Sequence, residues 1–427
     1  MNIAIIGAGT TGLTAGYDLA RRGHTVRIFE CEDRIGGLAS TLPMGQTRLE
    51  TFYHHLFTSD TDFVDLAEEM GLGDRLVWKA PRNGIYVQNR LYPFTSPKDL
   101  LFFRALSIRD RIALGLLTLR ARKVRDWPAL ENQTAKDWVI QTAGENVYEK
   151  FWRPLLEAKF DRDADRISAT WLGNKIKLRG STRGKNPSRE VLGYATGSFQ
   201  IVYDELVRQI EARGGKCNLA RPVKRITPQL DGSVDVDGEK FDAALVTAAP
   251  AVLADLVPNL PDGCREKIRA LRYKANVCLL LELNRPLSDF YWISVAQSDI
   301  PFVAVIEHTN LFPDPGYGST IVYLSRYLDE QDPLFIASDA EITNRFLDAL
   351  RRMFAHFSPS SMIASRVHRA RFAQPVIATG YSKTIPDLKV TGNLYLASMA
   401  QIYPEDRGQN YAVRMGRQVA ERIHEGK

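Results

Sequence analysis

Cysteine is scarce: Cys31, Cys217, Cys264 and Cys278 are the chain's four, and no C-x-x-C pair occurs. No disulfide framework and no metal site are therefore expected, and a reducing cytoplasm fits best. Long apolar runs are missing too. No stretch approaches the roughly 18 residues of a membrane-crossing helix. The opening Met1-Asn2-Ile3-Ala4-Ile5-Ile6-Gly7 has neither a basic leader nor a small-residue cleavage site, and reads as a strand rather than a signal peptide. Basic runs interleaved with aromatics do not occur, which argues against a nucleic-acid partner. The chain has no G-x-S-x-G elbow, no H-E-x-x-H and no Walker loop, so triad, zinc-hydrolase and P-loop chemistry are not expected. What remains is a chain of 427 residues, 44% hydrophobic and 25% charged, with a formal net charge of +6. That suits two soluble domains with a core that needs no staple. The mild basic excess leaves an anionic substrate or a membrane surface as partner.

The strongest positive signal opens the chain. Residues 2–6 are an apolar run suited to a buried parallel strand. Gly7-Ala8-Gly9-Thr10-Thr11-Gly12 follows as a complete G-x-G-x-x-G, then a helical pattern at 13–22 and a second strand at 26–30. Glu30 lies 18 residues after Gly12, close to the acidic position of a dinucleotide fold. Gly7 permits the tight turn, Gly9 lets backbone approach a pyrophosphate, and Gly12 lets helix pack on strand. The helix start offers N–H groups and a positive dipole end to phosphates, and Glu30 can accept from ribose hydroxyls.

After Glu30 comes Cys31-Glu32-Asp33-Arg34-Ile35-Gly36-Gly37. This second glycine pair resembles the extended N-terminal motif of the FAD-binding, glutathione-reductase-like fold. Within it, the resemblance is to the flavin amine oxidase, protoporphyrinogen oxidase and phytoene desaturase group. It implies FAD as cofactor, with Arg34, Gly36, Gly37 and Leu38 along its diphosphate and ribityl chain. Leu38 stands where the group usually has Arg. No flavin-attachment motif is recognisable, so non-covalent FAD is expected.

Later segments extend the resemblance. A helical run at 201–214, a strand-like stretch at 221–226, an Asp231-Gly232 hairpin turn and an apolar strand at 241–249 closed by Pro250 are similar to the second FAD segment. There Val223 would contact the adenine region through its backbone. A strand at 393–398, the loop carrying Asp406, Gly408, Asn410 and Tyr411, and a helix at 413–424 resemble the third, which caps the flavin. The group's strand usually ends in Gly-Asp or Gly-Glu; this one ends in Ala397-Ser398, and Asp406 is available to replace the acid. The expected fold class is α/β. An FAD-binding Rossmann-like domain (1–58, 193–261 and 385–427) would interleave with an α+β substrate domain (59–192 and 262–384).

On the substrate side, Tyr53-His54-His55-Leu56-Phe57 resembles the His-containing loop of UDP-galactopyranose mutases, a sister group. His54 and His55 are catalytic candidates, since an imidazole can orient a hydroxyl or take a proton at neutral pH. In extended chain only one of them faces a given site. Arg153, Lys159, Lys177 and Arg179 are candidates to bind a phosphate or carboxylate. Tyr194, Tyr323, Tyr381 and Tyr403 are candidates to line the substrate face.

Residues 98–125 hold eight basic and two acidic side chains, so the rest of the chain balances. Ile112, Leu116 and Leu119 share a helical face. Two readings stand: a helical hairpin with that face in the substrate-domain core, or a basic amphipathic stretch lying on the inner face of a membrane. The whole predicts an FAD-dependent, amine oxidase-like oxidoreductase. It would oxidise a C–N or C–C bond of a small or lipophilic substrate by hydride transfer. A mutase-like enzyme acting on a nucleotide- or lipid-linked sugar without net redox is the main alternative, and a non-catalytic flavin-binding partner the other. Substrate, electron acceptor and oligomeric state stay open.

Overall fold

β1 (Asn2–Ile6) runs through the middle of a six-stranded sheet in the computed structural model, which describes residues 1–181 and 190–426. β2 (Thr25–Phe29) and Ala243–Val246 flank it in parallel. Lys216–Asn218 and Leu394–Leu396 extend the sheet in parallel, and Lys389–Thr391 closes it antiparallel. Alternation divides the apolar run of β1 between two layers. Ile3 and Ile5 pack under α1 (Thr10–Arg21) and the helices Gln200–Glu211 and Gln409–Glu425. Ala4 and Ile6 face a small antiparallel sheet of Ile226–Pro228, Val234–Val236 and Glu239–Phe241.

Three expected elements shift. Most of 221–226 is irregular, because the N–H groups of Ala220 and Arg221 donate to the carbonyls of Glu32 and Glu30 rather than to a ladder. Pro250 begins a helix, Pro250–Leu256, rather than simply closing a strand. The last helix starts at Gln409, a turn before 413.

A seven-stranded sheet forms the second layer, built on Tyr273–Leu283, Thr320–Leu328 and Met362–Pro375. Its strands are antiparallel except Trp292–Val295, which pairs in parallel with Asn83–Val87. The helices Ile108–Lys123, Ala135–Ala143, Arg153–Phe160 and Ala169–Ser181 share a separate apolar core. Fully buried Lys274 ties these helices to the sheet, 2.9 Å from Asp163 and 2.7 Å from Asp329.

Two tyrosines expected along the substrate face are structural instead. The Tyr194 hydroxyl donates to Glu50 Oε2 at 2.5 Å, and the Tyr323 hydroxyl to the Glu50 carbonyl at 2.7 Å. Phe199 N–H donates to the other carboxylate oxygen at 2.8 Å. Both rings are buried, so neither presents a face to a ligand. Desolvation pushes the Glu50 carboxyl up to about 7 although its donors oppose the shift. With its folded value raised, the native state holds the proton longer than the unfolded chain. Glu50 therefore stabilises fully below about pH 4.5, and that contribution is lost as pH rises through about 7. Glu50→Gln should flatten this slope, worth on the order of 2 kcal/mol between about pH 5 and 8, in denaturant titrations at the two pH values. An unchanged slope would show that Glu50 does not carry it.

Candidate active site

The N-terminal glycine loop and the Gly36–Gly37 loop lie back to back. Gly9 bridges Gly36, and Gly36 N–H donates to the Ala8 carbonyl at 2.8 Å. A Cβ on Gly12 would stand 2.0 Å from the Gly7 carbonyl oxygen, so only glycine lets α1 begin there. A Cβ on Gly9 would meet nothing nearer than Gly37 Cα at 3.8 Å, which leaves this backbone open to a close ligand. Neither α1 nor the helix Gln409–Glu425 has a side-chain N-cap. The two starts are tied by a relay: Thr10 Oγ1 donates to the Tyr203 hydroxyl at 3.1 Å, which donates to Gln409 Oε1. Two positive helix ends thus converge, with the buried Gln409 Nε2 unpartnered between them. Glu30, buried at the end of β2, accepts from Ala8 N–H at 2.7 Å and Glu32 N–H at 3.0 Å. Its two oxygens keep capacity for a hydroxyl. These features fit the phosphates and ribose of a dinucleotide.

The loop before the last helix delivers Asp406 and Arg407 to the junction of the helical layer and the seven-stranded sheet. Asp406 is buried and accepts from Lys175 Nζ at 2.6 Å, Trp171 Nε1 at 3.1 Å and Gln374 Nε2 at 3.3 Å, with Lys159 Nζ at 3.9 Å. Arg407 donates to Gln374 Oε1 at 3.0 Å and to the Tyr327 hydroxyl at 2.7 Å, and Tyr53 lies 3.4 Å beyond. Lys159 Nζ stands 5.2 to 5.8 Å from the ring centres of Trp171, Tyr327 and Phe160. Three cations here face one carboxylate. Burial alone would raise Asp406, but Lys175, Lys159 and Arg407 together hold it well below the usual carboxylate range. Desolvation brings the Lys159 amine down to about 7, against the pull of Asp406.

Lys159 is thus drawn into the cluster, and Asp406 is taken up by it. Its donors are Lys175 and Trp171 of the helical layer and Gln374 of the seven-stranded sheet. Both histidines reach the rim of the cluster, but neither titrates near neutrality. Desolvation lowers His54 to about 4 and His55 to about 3. His54 Nδ1–H donates to the Phe52 carbonyl at 2.7 Å, leaving Nε2 as an acceptor, while His55 Nδ1 faces the Tyr291 hydroxyl at 3.0 Å. Both imidazoles are therefore held in the neutral form at pH 7.

Arg153 stays outside: it is exposed and clasped by Glu149 at 2.7 Å and Glu157 at 2.8 Å along its own helix. Lys177 turns away over Trp127, whereas Arg179 stands 6.0 Å from the Trp292 ring centre, beside His55. Tyr381 spends its hydroxyl on the Ala400 carbonyl at 2.9 Å, and Tyr403 packs on its ring. Leu38 packs against the small cluster of Tyr327, Ala370 and Ala373. Arg34 is exposed, Val223 is half-buried beside the small sheet, and Asn410 Oδ1 accepts from Phe63 N–H at 3.1 Å. Gly408 precedes the last helix, and Tyr411 lies on its first turn against Arg414. Sequence reasoning missed Lys175, Trp171, Gln374, Tyr327 and Arg407. One signal was available: Trp171, Lys175 and Arg179 recur every four residues, which puts them on one helical face.

A largely parallel sheet with a glycine-loop cradle suited to a dinucleotide, set beside a mixed sheet and a helical layer, defines an α/β nucleotide-binding architecture. The chain belongs to the flavin containing amine oxidoreductase family, whose sequence model matches residues 10–424. FAD is accordingly its cofactor, and the cradle residues above are the ones that would hold it. A 15-cis-phytoene desaturase of Synechococcus elongatus is 25% identical over 256 residues, 55% of this chain and 52% of that protein. A coproporphyrinogen III oxidase of Mycobacterium tuberculosis is 25% identical over 302 residues, 60% of this chain and 66% of that one. The match thus spans about half to two thirds of these relatives' length. Among solved structures, cyclohexylamine oxidase from Brevibacterium oxydans aligns with a TM-score of 0.73 at 16% identity, over 100% of this chain and 99% of its own. A reduced UDP-galactopyranose mutase aligns with a TM-score of 0.76 at 15% identity, over 100% of this chain and 96% of its own. These two likenesses are of fold.

Gly9→Ala tests the cradle. The protein has room for the methyl group, so its folding and apo thermal midpoint should not change, while FAD binding weakens about tenfold or more. Flavin fluorescence quenching reads this directly; unaltered affinity would place the cofactor elsewhere.

Proposed function

We propose that the protein is an FAD-dependent oxidoreductase that dehydrogenates a C–N or C–C single bond to a double bond in a substrate carrying a carboxylate or phosphate, with hydride leaving a C–H for the flavin and the proton of the adjacent N–H or C–H leaving for the Lys159 amine. The observation that carries the reading is the gathering of cations: Lys159, Lys175 and Arg407, each half-buried, around the buried carboxylate of Asp406. Cations held so close together at a partly buried site attract a counter-charge, and an anionic substrate group supplies one. FAD supplies the hydride acceptor when bound. The chain's own part is binding, orientation and exclusion of water. Arg407 and Lys175 hold the anion, and Asp406 fixes Lys175 in place. The Tyr53–Tyr327 hydroxyl pair and the Nε2 of His54 orient polar groups of the substrate. The rings of Trp171, Tyr327 and Phe160 pack around Lys159 and desolvate it in part. With its value near neutrality, Lys159 holds or releases a proton at Nζ as the substrate requires.

A second reading rests on the same cations together with the fold likeness to UDP-galactopyranose mutase. Here the anion would be the diphosphate of a nucleotide- or lipid-linked sugar, and no net oxidation would occur. The two readings separate cleanly. The oxidoreductase turns over from oxidised flavin and consumes an acceptor; the mutase is silent until dithionite reduces it.

The test is anaerobic loss of oxidised-flavin absorbance across matched amines and alkanes with and without a carboxylate or phosphate. Anionic members should bleach the flavin. Arg407→Gln should raise their KM about tenfold or more with a smaller change in kcat. Lys159 is charged below about pH 7 and neutral above it. KM for an anionic substrate should therefore climb as pH rises through 7, and Lys159→Arg should flatten that climb. Bleaching by neutral members alone, indifferent to Arg407, would overturn the anionic requirement.

A further inference from the structure

No helix among the described residues is long and apolar enough to cross a membrane. Yet the outer surface of the helical layer carries a feature that the site does not use. Exposed large apolar side chains gather in one stretch: Leu101 is 63% exposed, Phe102 66%, Ile108 71%, Ile112 56%, Leu116 48% and Leu119 54%. Four of them belong to the helix Ile108–Lys123, at positions i, i+4, i+8 and i+11, which form a single stripe. The opposite stripe, Leu114, Leu117 and Ala121 with Asp110, is the buried one. The helix is apolar on two faces. This settles the two sequence readings of Ile112, Leu116 and Leu119 against the core: a different set of residues makes the core contact.

The charges around the stripe have one sign. Arg109 and Arg120 fall on one flank and Arg122 on the other, Lys123 lies within the arc, and all are exposed. Lys98, Arg104 and Arg125 add exposed cations at its ends. The two acids of residues 98–125 do not offset them outward. Asp110 is buried and accepts from Ser107 Oγ at 2.7 Å; Asp99 accepts the N–H groups of Ser96 at 2.7 Å and Thr95 at 2.9 Å.

We propose that the stretch 98–125 is a docking surface for an anionic lipid bilayer, with the helix Ile108–Lys123 lying in the plane of the interface. Its apolar stripe would enter the acyl boundary, and the arginines and lysines would meet lipid phosphates. Charge argues against a second copy as the occupant, because two such faces would bring like charges together. The inward stripe packs on the helix Ala169–Ser181, which carries Lys175 and Trp171. Docking would therefore place the bilayer one helix away from the candidate site.

The test is co-sedimentation of the FAD-loaded full chain with vesicles of equal parts phosphatidylcholine and phosphatidylglycerol, beside vesicles of phosphatidylcholine alone. Binding to the anionic vesicles is expected, falling about tenfold or more when Arg120, Arg122, Lys123 and Arg125 become Gln. The pair Ile112→Ser and Leu116→Ser should remove it as well. Both positions are exposed, so flavin content and thermal midpoint should stay as in the parent. In addition, Phe102→Trp should give blue-shifted emission on the anionic vesicles. Failure to sediment, or sedimentation that ignores both variants, overturns the proposal. So does a concentration-dependent dimer that the Ile112→Ser, Leu116→Ser variant dissolves, since a second copy would then own the surface.

Discussion

The buried carboxylate of Asp406 is the constraint on which the arrangement of parts depends. It lies on the loop that closes the nucleotide-binding layer, yet its donors come from elsewhere: Lys175 and Trp171 from a helix of the insertion and Gln374 from the long strand of the mixed sheet. One side chain thus joins three regions distant in sequence. A carboxylate so buried is tolerable only when such donors surround it, and loss of one partner from a pair of this kind costs on the order of 3 kcal/mol. The same demand for compensation collects the cations that the proposed substrate chemistry uses. Structural cohesion and the proposed anion binding share a set of atoms.

The nucleotide end works by a different logic. Its affinity comes from backbone groups exposed by glycine and by uncapped helix starts, which need no compensating charge until a ligand arrives. The Thr10–Tyr203–Gln409 relay holds two such starts together. The proposed substrate end is made of charged side chains packed among aromatic rings. The first is a rigid cradle of fixed dipoles; the second is a titratable cluster, with Lys159 poised near neutrality.

How far each part was legible in the sequence follows from that contrast. Gly7 to Gly12, the apolar run of β1, the acid at the end of β2 and the second glycine pair carry a local signal, because turn, strand and helix start adjoin in the chain. Tyr194 and Tyr323 were not legible in this way. A tyrosine written in sequence looks the same whether its hydroxyl meets a ligand or, as here, a buried Glu50 more than a hundred residues away. Arg153 was misleading because its partners lie one helical turn to either side. The histidine pair was found, but its protonation state was not, since desolvation depends on what packs around it.

By itself the sequence determined the α/β nucleotide-binding core, its cofactor class and the concentration of basic charge in one amphipathic stretch. Each of these is encoded by residues close together in the chain, through dihedral freedom, periodicity and composition. Only the tertiary structure decided that Asp406 gathers Lys159, Lys175 and Arg407 into one cluster. It alone decided, too, that the stripe of Ile108, Ile112, Leu116 and Leu119 faces outward while Leu114 and Leu117 face in. The reason is the same in both cases. Burial and electrostatic pairing are set by long-range packing, and a helix that is apolar on two faces leaves its choice of face to its neighbours.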